Sequence, residues 1–403
     1  NLINLLIFLI PISYIAGNLV LNLNILLFSI LALTIYGKEI LKIKFNFFDK
    51  LILLFFLYIF CNGIYNNFFN FDFPKAPEQN LVLKKSIFYL RFLILYFVLR
   101  FLIKEKLIIY KFLFLSLGVC SVFVSIDLII QYFFGMDLLG FEISGRRMSG
   151  PFGDEHIAGS FIQRFWIFSI FLIILFFQIR KNIMYPSIFF FLIIITTIGI
   201  ILSGNRVPFL MFSIMLVLLF IFQKELRKTF IVLFFIISIF LSYIFNSNDN
   251  IKGHYDNFIF NSNQIIIFLK SKLNNNEIIP TSRYTKEFEN GFLTWETNKY
   301  FGGGIKSFYW NCSEIKVSYT KILGGISCNS HPHNYYLENL TELGLIGFFL
   351  VSFLFLCALY KCIKFYIHIN NASRDRNLIF PFIIIFIVEI FPLKTTGSFF
   401  TTA

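Results

Sequence analysis

The sequence has few charged residues for its length. Only 14% of its 403 residues are Asp, Glu, Lys or Arg, whereas 57% are hydrophobic. Ordinary soluble domains carry about 25% charged residues, because their surfaces face water. A water-soluble core of this size cannot hide so much apolar surface, so the composition excludes a soluble globular protein. It predicts an all-α polytopic membrane protein.

Cysteine and histidine are also scarce, with six and five residues. Neither type shows a Cys-x-x-Cys pair or regular metal-ligand spacing, so we predict no metal and no other cofactor. Packing is the expected role of the cysteines in or beside apolar stretches, namely Cys61, Cys120, Cys357 and Cys362. Cys312 and Cys328 instead lie in a polar loop, where an oxidising compartment would allow a disulfide. The sequence leaves both the bridge and two free thiols open.

Apolar runs divide the chain into about eleven stretches, each able to cross a hydrocarbon core of about 30 Å as a helix. We predict spans at residues 2–16, 19–36, 50–66, 86–103, 107–134, 157–178, 186–203, 207–223, 229–245, 340–360 and 378–393, with 399–403 beginning a twelfth. Three regions follow: a transmembrane bundle at 1–245, a large external loop at 246–339 and C-terminal spans at 340–403. The chain begins with Asn1 and stops at Ala403, as expected if its ends are incomplete, so a missing signal peptide is uninformative.

Basic residues in every second loop predict the orientation, because Lys and Arg near span ends are retained in the cytoplasm. These residues are Lys38, Lys42, Lys44, Lys50, Arg100, Lys104, Lys106, Arg180, Lys181, Lys224, Arg227, Lys228, Lys361, Lys364, Arg374 and Arg376. Loops 135–156, 203–206 and 246–339 are then external, although lysines within 75–85 run against this assignment. The net charge of +13 reflects this topology and attraction to membrane lipids, and nothing supports a nucleic-acid partner.

Charged side chains within the predicted spans indicate polar surroundings, because each costs about 3 kcal/mol or more when it faces lipid. Arg91, Asp127, Arg164 and Glu389 all lie in the external half of their spans. Asp127 and Gln131 share one helix face, as do Ser160 and Arg164. The shared depth predicts a polar cavity open to the outer leaflet. The alternative is a structural salt-bridge cluster or arginines that snorkel to the membrane surface.

A very short external turn at 203–208 joins two spans and ends in proline, which is typical of the first turn of a helix. Arg206 therefore stands beside free N–H groups and the positive end of a helix dipole, which favour an anion. A bidentate guanidinium suits phosphate oxygens, although binding of lipid headgroups is the alternative. Residues 146–153 form a second basic turn, and Arg283 and the glycine run 302–304 lie in the long loop.

Two histidines, His331 and His333, stand where the long polar loop meets an apolar helix. Histidine can take or give a proton near neutral pH, so this position predicts proton chemistry at a membrane surface. The alternative is a histidine that merely caps the helix or packs against it. The glutamates that follow, Glu338 and Glu342, are expected to be helix-start charges or packing residues rather than catalysts.

The residues after the histidines make the pattern specific. The sequence His333-Asn334-x-x-Leu337-x-x-x-x-Glu342-Leu343-Gly344-x-x-Gly347 resembles the signature of the O-antigen ligase and O-antigen polymerase superfamily. Earlier motifs follow in family order: Arg147-Met-Ser-Gly-Pro-Phe resembles its Arg-x-x-Gly-Pro-Phe turn, Ser203-Gly-Asn-Arg206 its Ser-x-Ser-Arg turn, and Arg283, Trp295 and Gly302–Gly304 its loop pattern. Asn205 departs from the usual second Ser, and Asp154-Glu155-His156 departs from the usual polar run containing Asn.

The resemblance implies a multipass glycosyltransferase of the GT-C type in the bacterial inner membrane. Its active site would face the periplasm and act on a glycan carried by undecaprenyl diphosphate. His333 would be the general base, with His331 a weaker candidate or an orienting neighbour. Diphosphate binding would fall to Arg206 and Arg283, with Arg147 and Arg164 as supporting charge. Always-charged guanidinium groups can stabilise diphosphate oxygens in place of a metal, and one direct displacement inverts the anomeric carbon.

Three functions compete for this sequence. A ligase would transfer the glycan to a lipid A-core sugar, and the single dominant late external loop favours it by resemblance. A polymerase would use another lipid-linked repeat as acceptor. A non-enzymatic transporter of anionic lipids would need polar residues through both leaflets, whereas the clear charges cluster at one. A metal-dependent hydrolase built on Glu155, His156, His331 and His333 is disfavoured, because established ligand spacing is missing.

Overall fold

The computed structural model describes residues 2–69, 80–143, 148–176, 184–223, 283–319, 328–369, 373–392, 394 and 397–400, with scattered helical positions between 227 and 270. Its helices are α1 (Leu2–Ile15), α2 (Asn18–Leu41), α3 (Phe47–Phe68), α4 (Leu81–Tyr89), α5 (Arg91–Lys104), α6 (Tyr110–Phe134), α7 (Ala158–Phe176), α8 (Met184–Leu202), α9 (Arg206–Phe222), α10 (Arg283–Thr297), α11 (Phe308–Tyr319), α12 (Tyr335–His368) and α13 (Arg374–Glu389), with a 3₁₀ turn at Gly150–Phe152. Within the described ranges, extended pairing is limited to an isolated bridge between Met136 and Glu142.

Helix length and hydropathy confirm an all-α polytopic membrane bundle. Six described stretches are long and apolar enough to cross a membrane: Asn18–Leu41, Phe47–Phe68, Leu81–Lys104, Tyr110–Phe134, Ala158–Phe176 and Tyr335–His368. Shorter apolar helices occupy Leu2–Ile15, Ser187–Leu202 and Arg206–Phe222. Each of these stretches overlaps a span predicted from the apolar runs.

Some predicted spans differ from the helices that form. The span at 86–103 is broken at Leu90, between α4 and α5. The span at 340–360 becomes the longer α12, which starts at Tyr335 and contains a non-helical residue, Gly344. Residues 397–400 form no helix. The predicted span 229–245 and the first part of the loop that follows it, up to residue 282, are described only at scattered helical positions.

The chain divides into two compact units. The first comprises Asn1–Gly37, Leu102–Asn257 and Cys362–Glu389. Its largest fully buried side chains are Phe28, Leu102, Phe114, Phe161, Trp166, Phe171, Phe189, Phe212, Leu128 and Ile162. A Cβ atom at Gly199 would lie 2.8 Å from the Cα atom of Ser125, so glycine allows α8 to approach α6 closely. Small residues at such contacts are typical of helices packed within membranes.

The second unit comprises Lys38–Phe101, Phe258–Lys361 and Ile390–Ala403. Its buried cluster consists of Phe55, Phe56, Ile59, Tyr89, Ile305, Leu343, Val351, Leu354 and Phe400. Asn46 and Asp49 form a capping box that starts α3. The fully buried Asp49 carboxylate also accepts a hydrogen bond from Tyr96 Oη at 2.6 Å and pairs with Arg100 Nη2 at 2.8 Å. The division into bundle, loop and C-terminal spans drawn from the sequence stays a prediction.

Candidate active site

The two histidines lie together in the turn that precedes α12, in the second unit. Their ring centroids are 4.3 Å apart with an interplanar angle of 62°, and both side chains are half-buried. The Nδ1 atom of His331 lies 3.0 Å from Ser330 Oγ. His333 has φ +49°, a left-handed conformation in which His, Asn and Asp are enriched among non-glycine residues. The turn thus holds one imidazole against the other.

Asn334 links this turn to two other parts of the second unit. Its Oδ1 accepts hydrogen bonds from the backbone N–H groups of Tyr336 at 3.0 Å and Leu337 at 3.2 Å, which caps the start of α12. Its Nδ2 donates to the carbonyl oxygens of Pro392 at 2.7 Å and Lys394 at 3.4 Å. The buried Asn334 amide therefore fixes the position of the neighbouring His333.

Described residues of the C-terminal segment 390–400 also contact the first turns of α12. Tyr336 Oη donates to the carbonyl oxygen of Ile390 at 2.6 Å. The fully buried Glu338 carboxylate accepts hydrogen bonds from Ser398 Oγ at 2.5 Å and Phe399 N at 2.6 Å. Lys306 Nζ lies 4.0 Å from Glu338 Oε1 and also bonds to Ser398 Oγ. Glu338 thus anchors this segment, in keeping with the expected packing role.

The glycine run Gly302–Gly304 packs against the break in α12. Gly303 N donates to Thr341 O at 3.0 Å, and Gly304 N donates to Glu342 O at 2.8 Å. A Cβ atom on Gly302 would lie 2.5 Å from the backbone of Glu342 and Gly344. Gly344 itself has φ 66° and ψ −169°, a conformation open essentially to glycine alone. These glycines therefore shape the backbone at the break in α12, and the N–H groups of Gly303 and Gly304 bond to protein carbonyl oxygens.

Helix α10 connects Arg283 to the histidine turn. Arg283 is the first residue of α10. One turn further on, Glu287 Oε1 accepts a hydrogen bond from Asn329 Nδ2 at 3.2 Å, two residues before His331. A Cβ atom on Gly291 would lie 3.3 Å from Leu337, so α10 also packs on the first turn of α12. The elements that carry Arg283, His331 and His333 are thus joined within one unit.

A disulfide joins Cys312 of α11 to Cys328, three residues before His331. The sequence left open whether these two cysteines form a disulfide or remain free thiols, and the structure has the disulfide. It closes a loop with a sequence separation of 16 and ties the histidine turn to α11.

Loss of this disulfide should loosen the turn. We expect the Cys312→Ser/Cys328→Ser double variant to lose about 3 kcal/mol of stability, because the bond restricts the unfolded chain. Thermal unfolding in detergent, with and without a phosphine reductant, measures the effect. Reductant should lower the melting temperature of the wild type and of the control Cys357→Ser, and should leave the double variant unchanged. A reductant effect of equal size in the double variant would contradict the assignment.

The first unit holds two other arginines predicted for the site, Arg206 and Arg164. Arg206 is the first residue of α9, as the turn at 203–208 predicts, and its side chain is half-buried. Asn205, which departs from the family's usual Ser, donates from Nδ2 to the carbonyl oxygen of His156 at 3.1 Å. Asn205 N in turn donates to Ser203 Oγ at 3.3 Å. Asn205 thus links the turn at 203–208 to the residues just before α7. Arg147 lies outside the described residues.

Arg164 of α7 pairs with Glu389 of α13, also in the first unit. Its Nε and Nη2 atoms lie 3.0 and 3.3 Å from the two carboxylate oxygens, and the side chains are 24% and 20% exposed. The sequence predicted a polar cavity here, with a structural salt bridge as the alternative. The bidentate geometry agrees with the salt bridge. A supporting role for Arg164 in diphosphate binding stays a prediction.

Charge-removing variants separate these two roles of Arg164. Arg164→Gln and Glu389→Gln should each lower stability by about 2–3 kcal/mol, somewhat less than the loss for a fully buried pair. The double variant should lose less than the sum of the two, because neither charge is then left alone. Thermal unfolding and donor affinity are measured together. Additive losses of stability would contradict the pairing, and a double variant that is stable but binds donor poorly would support the phosphate role.

Asp127 and Gln131 serve the loop after α6 rather than an open cavity. Both side chains are fully buried. Asp127 Oδ1 accepts from Leu138 N at 2.9 Å, and Gln131 Oε1 accepts from Gly150 N at 3.0 Å. The shared helix face was predicted correctly, but these two side chains hold the loop after α6 in place.

Among the residues that the structure describes, no group of three or more His, Cys, Asp or Glu side chains could hold a metal ion. Sequence reasoning missed Lys306, Ser398 and the cap formed by Asn334. The contacts of Glu338 and Asn334 with the C-terminal segment join residues about 60 positions apart, as shown by separations of 58, 60 and 61. No local pattern signals such contacts.

Helices and site together define a polytopic membrane protein with a histidine pair at the start of an apolar helix. A family model described as O-Antigen ligase matches residues 189–352. This match confirms the resemblance to the O-antigen ligase and polymerase superfamily and supports an enzyme role. The matched region contains Arg206, Arg283, His331 and His333, and it excludes Arg147 and Arg164. No curated protein matches the chain.

Proposed function

We propose that this protein is an O-antigen ligase-type glycosyltransferase. It moves a glycan from undecaprenyl diphosphate to a hydroxyl group of a lipid A-core sugar, on the periplasmic face of the bacterial inner membrane. The observation that carries the proposal is the fixed turn of His331 and His333 inside the region that matches the O-Antigen ligase family. Lipid-linked substrates follow from that family, whereas the particular donor and acceptor are part of the proposal.

His333 acts as the general base in this reaction. Its imidazole takes the proton of the acceptor hydroxyl while the oxygen forms a bond to the anomeric carbon. The bond from that carbon to the diphosphate oxygen breaks, and undecaprenyl diphosphate leaves with the electron pair. The anomeric carbon is inverted. His331 packs beside the base at a centroid separation of 4.3 Å and orients it.

Guanidinium groups stabilise the charge that develops on the diphosphate. Arg283 is proposed for this role because its helix is joined to the histidine turn through Glu287 and Asn329. Arg206 is proposed from its position at the start of α9 and from the family match. Arg147 and Arg164 are proposed as supporting charge on the resemblance alone. Metal and cofactor have no part in this proposal.

Removal of the Arg283 guanidinium should weaken transition-state binding. We expect Arg283→Ala to lower kcat/KM for the donor about 10–100-fold, because a hydrogen bond to a charged group contributes about 1.5–3 kcal/mol. Arg283→Lys should recover part of the loss, since lysine keeps the charge without the planar fork. Steady-state kinetics with varied donor provide the measurement. Lys286→Ala, which removes a charge from the same helix, is the matched control, and an equal loss in it would contradict a specific role.

The acceptor distinguishes the proposal from its alternative, an O-antigen polymerase that joins lipid-linked repeats. Purified protein is supplied with defined undecaprenyl-diphosphate glycan and either lipid A-core or a second lipid-linked repeat, with EDTA present. Transfer to lipid A-core supports the ligase. Chain extension on the second repeat, without transfer to lipid A-core, would replace it with the polymerase.

A further inference from the structure

The chain leaves α6 through a small hairpin at residues 135–143, within the first unit. Gly135 ends the helix with φ +79°, and Gly140 turns the tip with φ +90°. Left-handed backbone of this kind favours glycine, which has no Cβ atom to clash. Asp137 N donates to Phe141 O at 3.0 Å and closes the hairpin. Residues 135–143 thus form a defined hairpin rather than an irregular loop.

The polar side chains around this hairpin point inward and bond to its backbone. Asp127 of α6 accepts a hydrogen bond from Leu138 N at 2.9 Å. Gln131 Nε2 donates to Phe141 O at 3.1 Å. Asp137, which is 5% exposed, accepts from Phe141 N at 2.6 Å. Buried polar groups that bond to backbone fix the shape of the segment. Other side chains therefore form the outer surface of the hairpin.

The exposed side chains of the hairpin are mainly apolar and are close together in sequence. The apolar ones are Met136 (49%), Leu138 (56%), Leu139 (59%), Phe141 (43%) and Ile143 (38%). Glu142 is the one exposed charged residue among positions 135–143. Single exposed apolar residues are common on soluble proteins, but a contiguous apolar patch marks a surface that contacts something other than water.

The hairpin surface continues an apolar stripe along α6. Exposed side chains recur at Phe112, Val119, Phe123, Ile126 and Phe133, with spacings of seven, four, three and seven residues that place them on one helix face. Helix α6 is long and apolar enough to cross a membrane, so this stripe faces lipid. The hairpin extends the same lipid-facing surface beyond the end of the helix.

We propose that hairpin 135–143 inserts into the membrane leaflet at the C-terminal end of α6. Leu138, Leu139 and Phe141 lie among the lipid acyl chains and anchor the first unit at that depth. The partner is the lipid bilayer itself, because the patch is continuous with a lipid-facing helix. This part of the predicted external loop 135–156 is therefore embedded rather than aqueous.

Depth-dependent quenching tests the proposal. The four free cysteines, Cys61, Cys120, Cys357 and Cys362, are replaced by Ser, and a bimane label is attached to Leu139→Cys in the full-length chain. The protein is reconstituted into phosphatidylcholine and phosphatidylglycerol vesicles. An insertion about 5–10 Å below the headgroup boundary should make doxyl lipids quench the label several-fold more than aqueous iodide does.

Asp154→Cys, an exposed position after the 3₁₀ turn, is the matched control, and its label should show the reverse order. Iodide quenching that dominates at 139 would overturn the proposal. Shielding from both quenchers would point to a protein partner and would also overturn it. If the cysteine-depleted chain does not fold, benzoylphenylalanine at position 139 of the otherwise native chain should cross-link to phospholipid. Cross-links to lipid no more frequent than at position 154 would contradict insertion.

Discussion

His333→Asn should lower kcat for glycan transfer by about 10²–10⁴-fold, the usual contribution of a positioned general base. Asparagine is chosen because it tolerates the left-handed backbone, φ +49°, that His333 adopts. The variant therefore removes the proton acceptor and keeps the turn. His333→Ala should lose similar activity, with an added cost in stability of about 1 kcal/mol from the backbone conformation. Transfer to lipid A-core, measured by product formation at saturating donor, is the readout.

His331→Ala is the matched control, since the two rings lie in contact. We expect a smaller loss for His331→Ala, because an orienting neighbour acts through the base and does not take the proton. Unfolding temperatures of all variants are recorded to exclude misfolding. Full turnover in His333→Asn would show that the base is assigned wrongly. A larger loss of kcat in His331→Ala than in His333→Asn would make His331 the general base and His333 the orienting neighbour.

Gly344→Ala should destabilise the second unit by about 3–5 kcal/mol, from backbone strain and overpacking together. Its φ of 66° and ψ of −169° lie in a region open essentially to glycine. A Cβ atom there would also overlap the carbonyl oxygen of Tyr300. Loss of this packing should displace the glycine run 302–304, which bonds to Thr341 and Glu342. Thermal unfolding in detergent measures the effect, and transfer activity should fall with it.

Gly37→Ala is a matched control that should raise stability rather than lower it. Gly37 lies inside α2, and a Cβ atom added there would meet nothing within 4 Å. Alanine in a helix interior should therefore stabilise the protein by about 0.5–1 kcal/mol. Equal melting temperatures for Gly344→Ala and the wild type would contradict the account of the break in α12.

The parts of the fold that follow from local sequence were predicted well. Apolar runs predicted the long helices, because the cost of unpaired backbone in lipid requires helical spans. The proline at 208 and the short turn before it predicted the start of α9, which begins at Arg206. The histidine pair was predicted from two adjacent positions, and the rings do lie in contact.

The contacts that support the site could not be predicted from the sequence. Arg164 and Glu389 are 225 residues apart, so the sequence could place each of them in a predicted span but could not show that these two residues pair. Asn334 bonds to Pro392, and Glu338 bonds to Phe399, through tertiary packing that leaves no periodic signal. The composition of the glycine run 302–304 does not reveal its role, and its packing against Gly344 shows that the role is structural.

Product analysis separates glycosyl transfer from lipid transport. Purified protein is incubated with defined undecaprenyl-diphosphate glycan and lipid A-core, with EDTA present, and both products are followed by mass spectrometry. We expect a new glycosidic bond of inverted anomeric configuration on lipid A-core, together with an equal amount of undecaprenyl diphosphate. Glycan that moves between leaflets while it stays bound to undecaprenyl diphosphate would contradict the proposed transfer, because a transporter forms no glycosidic bond.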